Sequence, residues 1–311
     1  MILNLVPYDK KYDDRIHNLE QSIIQGKSIQ LEIIKDHFLS RTTVFKTNYP
    51  CLVVNEHDVV IATAIGAKTE IIINGGHSDA GVVYDVKVHP SYRKKGVGKM
   101  MAKHISGEFF KKEALSRNFI TLKLSNAAVI RLANAVRKIW LYDFVYLTIP
   151  STYRVKKSLY TKGKKQLLSV ALFHSDDLCP SYYVPVKNGL GYFHTSKMYR
   201  LKIRHINPLF RIGLGIMKKI QPQKYAYLPE EGDMFEFVTL YNHNAQTIQH
   251  INEVLEKLED SGIKYLMVCC RKHDVIYNAL KEQCISTYDY YVLSDFPLTK
   301  NDEITIDVRC L

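Results

Sequence analysis

Three consecutive cations, Arg93, Lys94 and Lys95, stand directly before two closely spaced glycines, Gly96 and Gly98, in the stretch VHPSYRKKGVGKMM. A plain surface turn needs one glycine and no such charge. A valine-rich segment runs into the loop and a helix-like segment leaves it. A strand, a tight glycine loop and a helix together aim several backbone N–H groups into one concavity at the positive end of the helix. Glycine permits φ > 0 and lets a ligand approach the main chain closely. The chemistry this suits is the holding of a diphosphate, with the three side-chain cations adding potential for other phosphates of the same ligand. Two better-known phosphate loops do not fit. A Walker A loop needs Ser or Thr where Met100 follows Gly98-Lys99, and a glycine at position 93; a dinucleotide fingerprint needs a third glycine where Met101 stands.

Groups that could move a proton lie just upstream. Tyr84 and Asp85 are neighbours on the strand entering the loop, and alternation of side chains turns at least one toward a cleft. Asp85 is a candidate base or substrate anchor, against a carboxylate merely hydrogen-bonded to its surroundings. Tyr84 is a candidate for the proton path, against simple packing. His89 reads as a solvated loop histidine and Trp140 as core. Asp176 and Asp177 could grip a substrate amine. The twelve histidines show no HExxH or other ligand spacing, so no metal is expected.

These groups are positioned by a recognisable run of elements. Residues 2–8 read as a strand. Asp13 to about Ile24 carries apolar residues on one helical face, and a second helix is expected over Leu31 to Leu39. CLVV, NEHD and VVIATAIG read as a hairpin whose second strand continues through TEIII; NGG then turns into GVVYDVKV. Lys99 to about Glu113 reads as a helix, FITLKL as a strand, Ala127 to Leu141 as a helix and FVYLTI as a strand ending near Pro150. Hairpins and crossover helices together make a mixed α/β unit. Residues 151–222 look irregular, with FRIGLGIMKKI either helix or linker. The last ninety residues repeat the strand–helix–strand logic without the glycine loop.

Composition narrows the partners. The chain has 311 residues and a net charge of +12, and this length suggests two domains. Residues 151–224 hold fifteen Lys or Arg against two Asp, so this segment carries essentially all of the net charge. Such a stretch can attract a polyanion. Base-stacking motifs and zinc-finger spacings are lacking, so a solvated basic surface is favoured and nucleic acid is an unlikely partner. No run of eighteen apolar residues predicts a spanning helix, and the N-terminus lacks the pattern of a signal peptide. Cys51, Cys179, Cys269, Cys270, Cys284 and Cys310 form no CxxC pair; reduced thiols in a cytoplasmic protein without a membrane partner are the simplest expectation.

The stretch VKVHPSYRKKGVGKMM resembles the acetyl-coenzyme A loop of the GNAT acetyltransferase superfamily. Arg93, Gly96 and Gly98 fill its [QR]-x-x-G-x-[GA] pattern, and Val88 and Pro90 fill the V-x-P that ends the preceding strand. The resemblance implies a mixed central sheet of GNAT type. It also implies that the N–H groups of Lys94, Lys95, Gly96, Val97, Gly98 and Lys99 hold the pyrophosphate. The backbones of Val86 and Val88 would pair with the pantetheine arm. Asn126 matches the Asn of the family's next motif, but Val129 and Ala133 stand where Ala and Tyr belong, so the usual tyrosine acid is in doubt and Tyr142 is the nearest substitute. A more diffuse likeness, in DFVYLTIPSTYRV and ITIDVRC, is to the two-domain plant Hookless-type and vertebrate histidine N-acetyltransferases. It implies a cofactor-binding domain at 1–155 and a degenerate GNAT-like domain at 156–311. The expected activity is acetyl transfer from acetyl-coenzyme A to a primary amine. The alternatives are a protein lysine or N-terminal acetyltransferase and a non-catalytic acetyl-coenzyme A sensor.

Overall fold

A computed structural model describes residues 2–26, 28–123, 127–135, 138–155, 168–173, 179–225, 227, 230–244 and 246–311. The first half runs β1 (Leu3–Pro7), α1 (Asp13–Gln21), β2 (Ile29–Ile34), β3 (Asn48–Asn55), β4 (Val60–Ile73), β5 (Gly76–Val88), α2 (Val97–His104), β6 (Asn118–Lys123), α3 (Ala127–Asn134) and β7 (Trp140–Pro150). The second half runs β8 (Val170–Ala171), β9 (Tyr183–Lys187), β10 (Leu190–Phe193), β11 (Arg200–Ile206), α4 (Pro208–Ile220), β12 (Met234–Phe235) and β13 (Phe237–Tyr241). It ends with α5 (Ile251–Asp260), β14 (Tyr265–Cys270), α6 (Val275–Leu280), β15 (Ser286–Ser294) and β16 (Ile304–Asp307).

Among the described residues the main sheet has thirteen strands, in the order β1-β3-β4-β5-β6-β15-β7-β14-β13-β10-β9, with β16 on β4 and β8 on β16. Each half contributes one parallel pair joined by a crossover helix, β5 with β6 and β13 with β14. Beyond each pair comes an antiparallel strand from the other half. β15 lies against β6, and β7 lies against β14. The halves thus exchange β7 and β15, which makes the sheet continuous. One face carries α2 over β3 and β4, and α5 and α6 over β7 and β14. The other face carries α1 and an aromatic core that includes Tyr84, Phe144 and Tyr146.

Local chemistry explains the sharpest turns. Asn74 and Gly75 have φ of 51° and 83°, the two left-handed positions that a tight hairpin between β4 and β5 requires. The helix after the glycine loop is shorter than its apolar pattern predicts. α2 ends at His104 and a π-helical turn, Ile105–Phe110, follows. That turn sets Phe109 against Gly66 and Phe110 against Gly81. A Cβ at Gly81 would press on the Asn118 side chain and come within 2.5 Å of the Phe110 ring. Gly81→Ala should therefore lower the thermal midpoint, by the equivalent of about 1–3 kcal/mol. Gly107→Ala, where a Cβ meets nothing within 4 Å, should leave it unchanged.

Two expected elements differ, and one left open is decided. The helix expected over Leu31 to Leu39 is a strand, β2, followed by a 3₁₀ segment at Phe38–Val44. β2 pairs with β11, about 170 residues later, from Arg200↔Ile34 to Ile206↔Ile29. That ladder decides its conformation, and no local period reports it. The helix expected from Ala127 to Leu141 stops at Asn134, and Trp140 already belongs to β7. FRIGLGIMKKI is helical, within α4.

Candidate functional site

The parallel ladder between β5 and β6 holds only at Gly81↔Asn118 and Val82↔Phe119. Past Val82 the strands part. The cause is a bulge in β5: its register against β4 shifts between Ile65↔Tyr84 and Thr63↔Lys87, and Asp85 has φ 51°. An extra residue in one strand bends it and sharpens its twist. From Val83 to Val88 the main chain of β5 is therefore an open edge toward β6, ready for an extended partner. Arg93 Nε donates to the Val88 carbonyl at 3.2 Å and ties the end of this edge to the loop.

The wedge opens into a narrow cleft of about 130 Å³, walled by Val83, Val86, Met101, Phe110, Phe119 and Leu132. The wall is mostly apolar and suits a thin, unbranched arm. The glycine loop lies at the N-terminus of α2. Lys94 and Gly96 both sit in the left-handed region, at φ 63° and 83°, and Gly96 caps α2. The N–H groups of the first turn, from Val97 onward, have no i−4 acceptor within the helix. Arg93, Lys94, Lys95 and Lys99 are exposed. A Cβ at Gly96 would meet nothing within 4 Å, so its side is open; one at Gly98 would lie 2.9 Å from Leu132 on α3. The loop is an open anion cradle at the end of an apolar cleft. Asn126 lies outside the described residues.

Val83, Val86 and Val88 pack toward α2, whereas Tyr84 packs into the aromatic core on the opposite face. There a buried ionic cluster lies under the bulge. Lys35 Nζ contacts Asp85 Oδ2 and Glu20 Oε1, each at 2.8 Å, and Lys87 pairs with the same Glu20 oxygen. Arg41 Nη1 stands 3.9 Å from Asp85 Oδ1. Burial by itself would raise the Asp85 carboxyl, but Lys35, Lys87 and Arg41 outweigh it and hold it well below the usual carboxylate range. Burial likewise works against the Lys35 charge, and Asp85 and Glu20 more than offset it. Lys87 is pulled below its ordinary value, by burial first and by Lys35 as well. Three cations face two side-chain carboxylates here, and Arg41 also donates to the Leu311 oxygen.

Arg41 has an unusual environment. Its Nη2 donates to the main-chain oxygen of Leu311 at 2.8 Å, and its guanidinium lies over the rings of Tyr84 and Tyr199, at 4.8 and 5.7 Å from the centroids. Its Nε is buried with no hydrogen-bond partner. Tyr84 donates its hydroxyl to Asn48 Oδ1 at 2.9 Å, and burial pushes that hydroxyl far above its ordinary value.

The structure redistributes the expected acid–base groups. Asp85 and Tyr84 are neighbours at the bulge, but neither is among the residues that wall the cleft, and Tyr84 packs on the opposite face of the sheet. An ionised carboxylate already gripped by a buried ammonium is also a poor proton acceptor, which argues against Asp85 as a base. Tyr142 is not with them. It lies on β7, separated from β5 by β6 and β15, and its hydroxyl donates to the Asp302 carbonyl at 2.7 Å; burial pushes it up to about 12. His89 accepts from the Ser91 N–H at 3.3 Å and caps the loop entrance. Asp176 and Asp177 lie outside the described residues. Lys35, Glu20, Arg41 and Tyr199 went unnoticed in the sequence. They sit at unrelated spacings and meet only through the fold.

Residues 16–136 match the model of the Acetyltransferase (GNAT) family. This stretch contains the bulge, the open edge, the glycine loop and α3, and it is an acyl-coenzyme A-dependent acyltransferase domain. No curated protein matches the chain in sequence. Among solved structures, the chain is similar to Saccharomyces cerevisiae N-myristoyltransferase with bound myristoyl-CoA, with 10% identity, 97% of this chain and 84% of that chain covered, and a TM-score of 0.56. It is also similar to the GCN5-related glucosamine N-acetyltransferase region of a fungal multi-domain GH3 β-N-acetylglucosaminidase, with 11% identity, 94% of this chain covered and a TM-score of 0.56. The match spans 38% of that larger chain. The fold is of GNAT type over nearly the whole length.

Proposed function

We propose that the chain is an N-acetyltransferase that moves the acetyl group of acetyl-coenzyme A to the primary amine of a small acceptor, by direct attack in a ternary complex. The observation that carries this reading is the parting of β5 from β6, with an anion cradle at the end of the open edge. Coenzyme A would lay its pyrophosphate against the N–H groups of residues 94–99. Its pantetheine arm would run along Val86 and Val88, and its thioester would lie near the bulge. Acetyl as the acyl group, and a cytoplasmic location, belong to the same reading. So does a division of labour between residues 1–155, which hold the donor, and 156–311, which shape the acceptor pocket.

An alkyl amine has a pKa of about 10.4 and is mostly protonated at neutral pH. It must lose that proton before it attacks. The surplus positive charge of the Lys35, Lys87 and Arg41 cluster disfavours an ammonium nearby and so favours the neutral nucleophile. Water can then take the proton, with neither Asp85 nor Tyr84 acting as base. The nitrogen lone pair forms a C–N bond to the thioester carbon. Main-chain N–H groups on the open edge would stabilise the oxyanion. The C–S bond breaks, the nitrogen gives its second proton to water as the amide forms, and the thiolate leaves and takes a proton from solvent.

The buried, unpartnered Nε of Arg41 supports an acceptor that bears a carboxylate, that is, an amino acid. This agrees with the layout of the Hookless-type and histidine N-acetyltransferases that the sequence resembles. The test is release of free thiol from acetyl-coenzyme A with amino acids and with their decarboxylated amines. An amino acid should be preferred over its amine by about a hundredfold in kcat/KM, because loss of the carboxylate leaves the site's charge unpaired. Equal rates would overturn the carboxylate assignment. No thiol release with any amine, small or peptidic, would overturn the enzymatic reading in favour of an acetyl-coenzyme A sensor.

A further inference from the structure

The helix α4 stands apart from the rest of the chain. Among the described residues ten large apolar side chains are exposed, and five of them, Leu209, Phe210, Ile212, Ile216 and Ile220, lie on this one helix. None of its thirteen residues is buried. Helices of this length are marginal alone in water, and most helices in proteins are held by packing of an apolar face. Here the ends are well made, since Asn207 Oδ1 accepts from the N–H groups of Leu209 and Phe210 and Pro208 opens the first turn, but the apolar face is uncovered.

The pattern is specific. Leu209, Ile212, Ile216 and Ile220 are spaced by three, four and four and so form one stripe. They are 80%, 61%, 54% and 65% exposed. The charges on the helix are all positive: Arg211, Lys218 and Lys219. The acids nearest in sequence follow it. Of these, Glu231 is paired with His205 at 3.0 Å, accepts from the Ile206 N–H and also interacts with Arg211, and Asp233 accepts from the Glu230 N–H.

We propose that α4 docks on an anionic lipid surface, lying in the interface plane with its isoleucine stripe in the acyl boundary and its cations among the headgroups. Thirteen residues make a helix about 20 Å long, shorter than a bilayer core, so it lies on the membrane and does not cross it. No helix of the described residues is long and apolar enough to cross; the expectation that no membrane is involved rested on that criterion, which says nothing of surface binding. Charge complementarity selects the occupant. A second copy of the chain would bring Arg211, Lys218 and Lys219 against the same cations, and a neutral surface would leave Lys218 and Lys219 without a lipid counter-charge.

The full chain should co-sediment with vesicles of phosphatidylcholine and phosphatidylserine, more weakly as salt rises, and not with phosphatidylcholine alone. Ile212→Ser with Ile216→Ser, and separately Lys218→Glu with Lys219→Glu, should each weaken vesicle binding about tenfold or more. All four residues are exposed, so the thermal midpoint should be unmoved. Failure to pellet with the anionic vesicles, or equal pelleting with neutral ones, would overturn the proposal. So would a dimer in solution that the isoleucine pair dissociates, since a second copy would then be the cover.

Discussion

Gly96→Asp is expected to weaken coenzyme A binding by about a hundredfold or more while the protein stays folded. The backbone at Gly96 has φ 83°, where an L-residue costs roughly 1–2 kcal/mol. Nothing lies within 4 Å of the new Cβ, so no clash is added to that strain, and the thermal midpoint should fall by no more than a few degrees. Binding suffers differently. The new carboxylate would stand at the mouth of a cradle built from main-chain N–H groups and compete with the pyrophosphate for them. It would also repel it, and a hundredfold is only about 2.7 kcal/mol. Gly96→Ala adds the strain without the charge and should cost about tenfold or less. Gly98→Asp is a poorer probe, because its Cβ would press on Leu132, 2.9 Å away, and disturb the contact of α2 with α3. Titration calorimetry with coenzyme A reads all three. If Gly96→Asp bound coenzyme A as the parent does, the phosphates would lie elsewhere and the assignment of the loop would fail.

The loop could be read in advance because its signal is local. Two glycines, three cations and a V-x-P strand end occupy eleven residues, and turn chemistry acts over that range. The same holds for the Asn74-Gly75 hairpin and for α5, whose buried stripe of Ile251, Val254, Leu255 and Leu258 repeats at helical spacing. What could not be read is whatever depends on distant pairing. β2 shows a short apolar run that suits helix or strand equally, and only β11 settles it. The exchange of β7 and β15 between the halves leaves no mark on either strand, since each reads as a strand in any arrangement and neither names its neighbour. The bulge at Asp85 is likewise silent in VVYDVKV, yet it opens the cleft. Tyr142 was singled out for its nearness in sequence to a missing tyrosine, but the insertion of β15 between β6 and β7 carries it away from β5.

The ionic cluster is the least legible part of the site, and Asp85 is where its role can be measured. Asp85→Ala should destabilise the fold by about 3–5 kcal/mol, because it leaves the buried Lys35 and Arg41 without their shared carboxylate. Asp85→Asn keeps the shape but raises the surplus charge and should fall in the same direction. The pH dependence follows from the sign of the shift. The folded carboxyl lies below its ordinary value, so its contribution is fully present above about pH 4 and fades as pH falls through the folded value. The parent should thus lose stability steeply in acid, and Asp85→Asn should show a shallower loss over the same range. Catalysis offers the sharper discrimination. Asp85 stays ionised throughout the neutral range, so it contributes no limb to the rate profile there. The rise of kcat/KM with pH should instead follow the deprotonation of the acceptor amine, and it should persist in Asp85→Asn assayed well below its thermal midpoint. A general base would behave otherwise: its removal would abolish the limb and lower the rate by about 10²–10⁴-fold. Loss of the limb in a folded Asp85→Asn protein would return Asp85 to proton transfer and remove the electrostatic account of how the amine is made neutral.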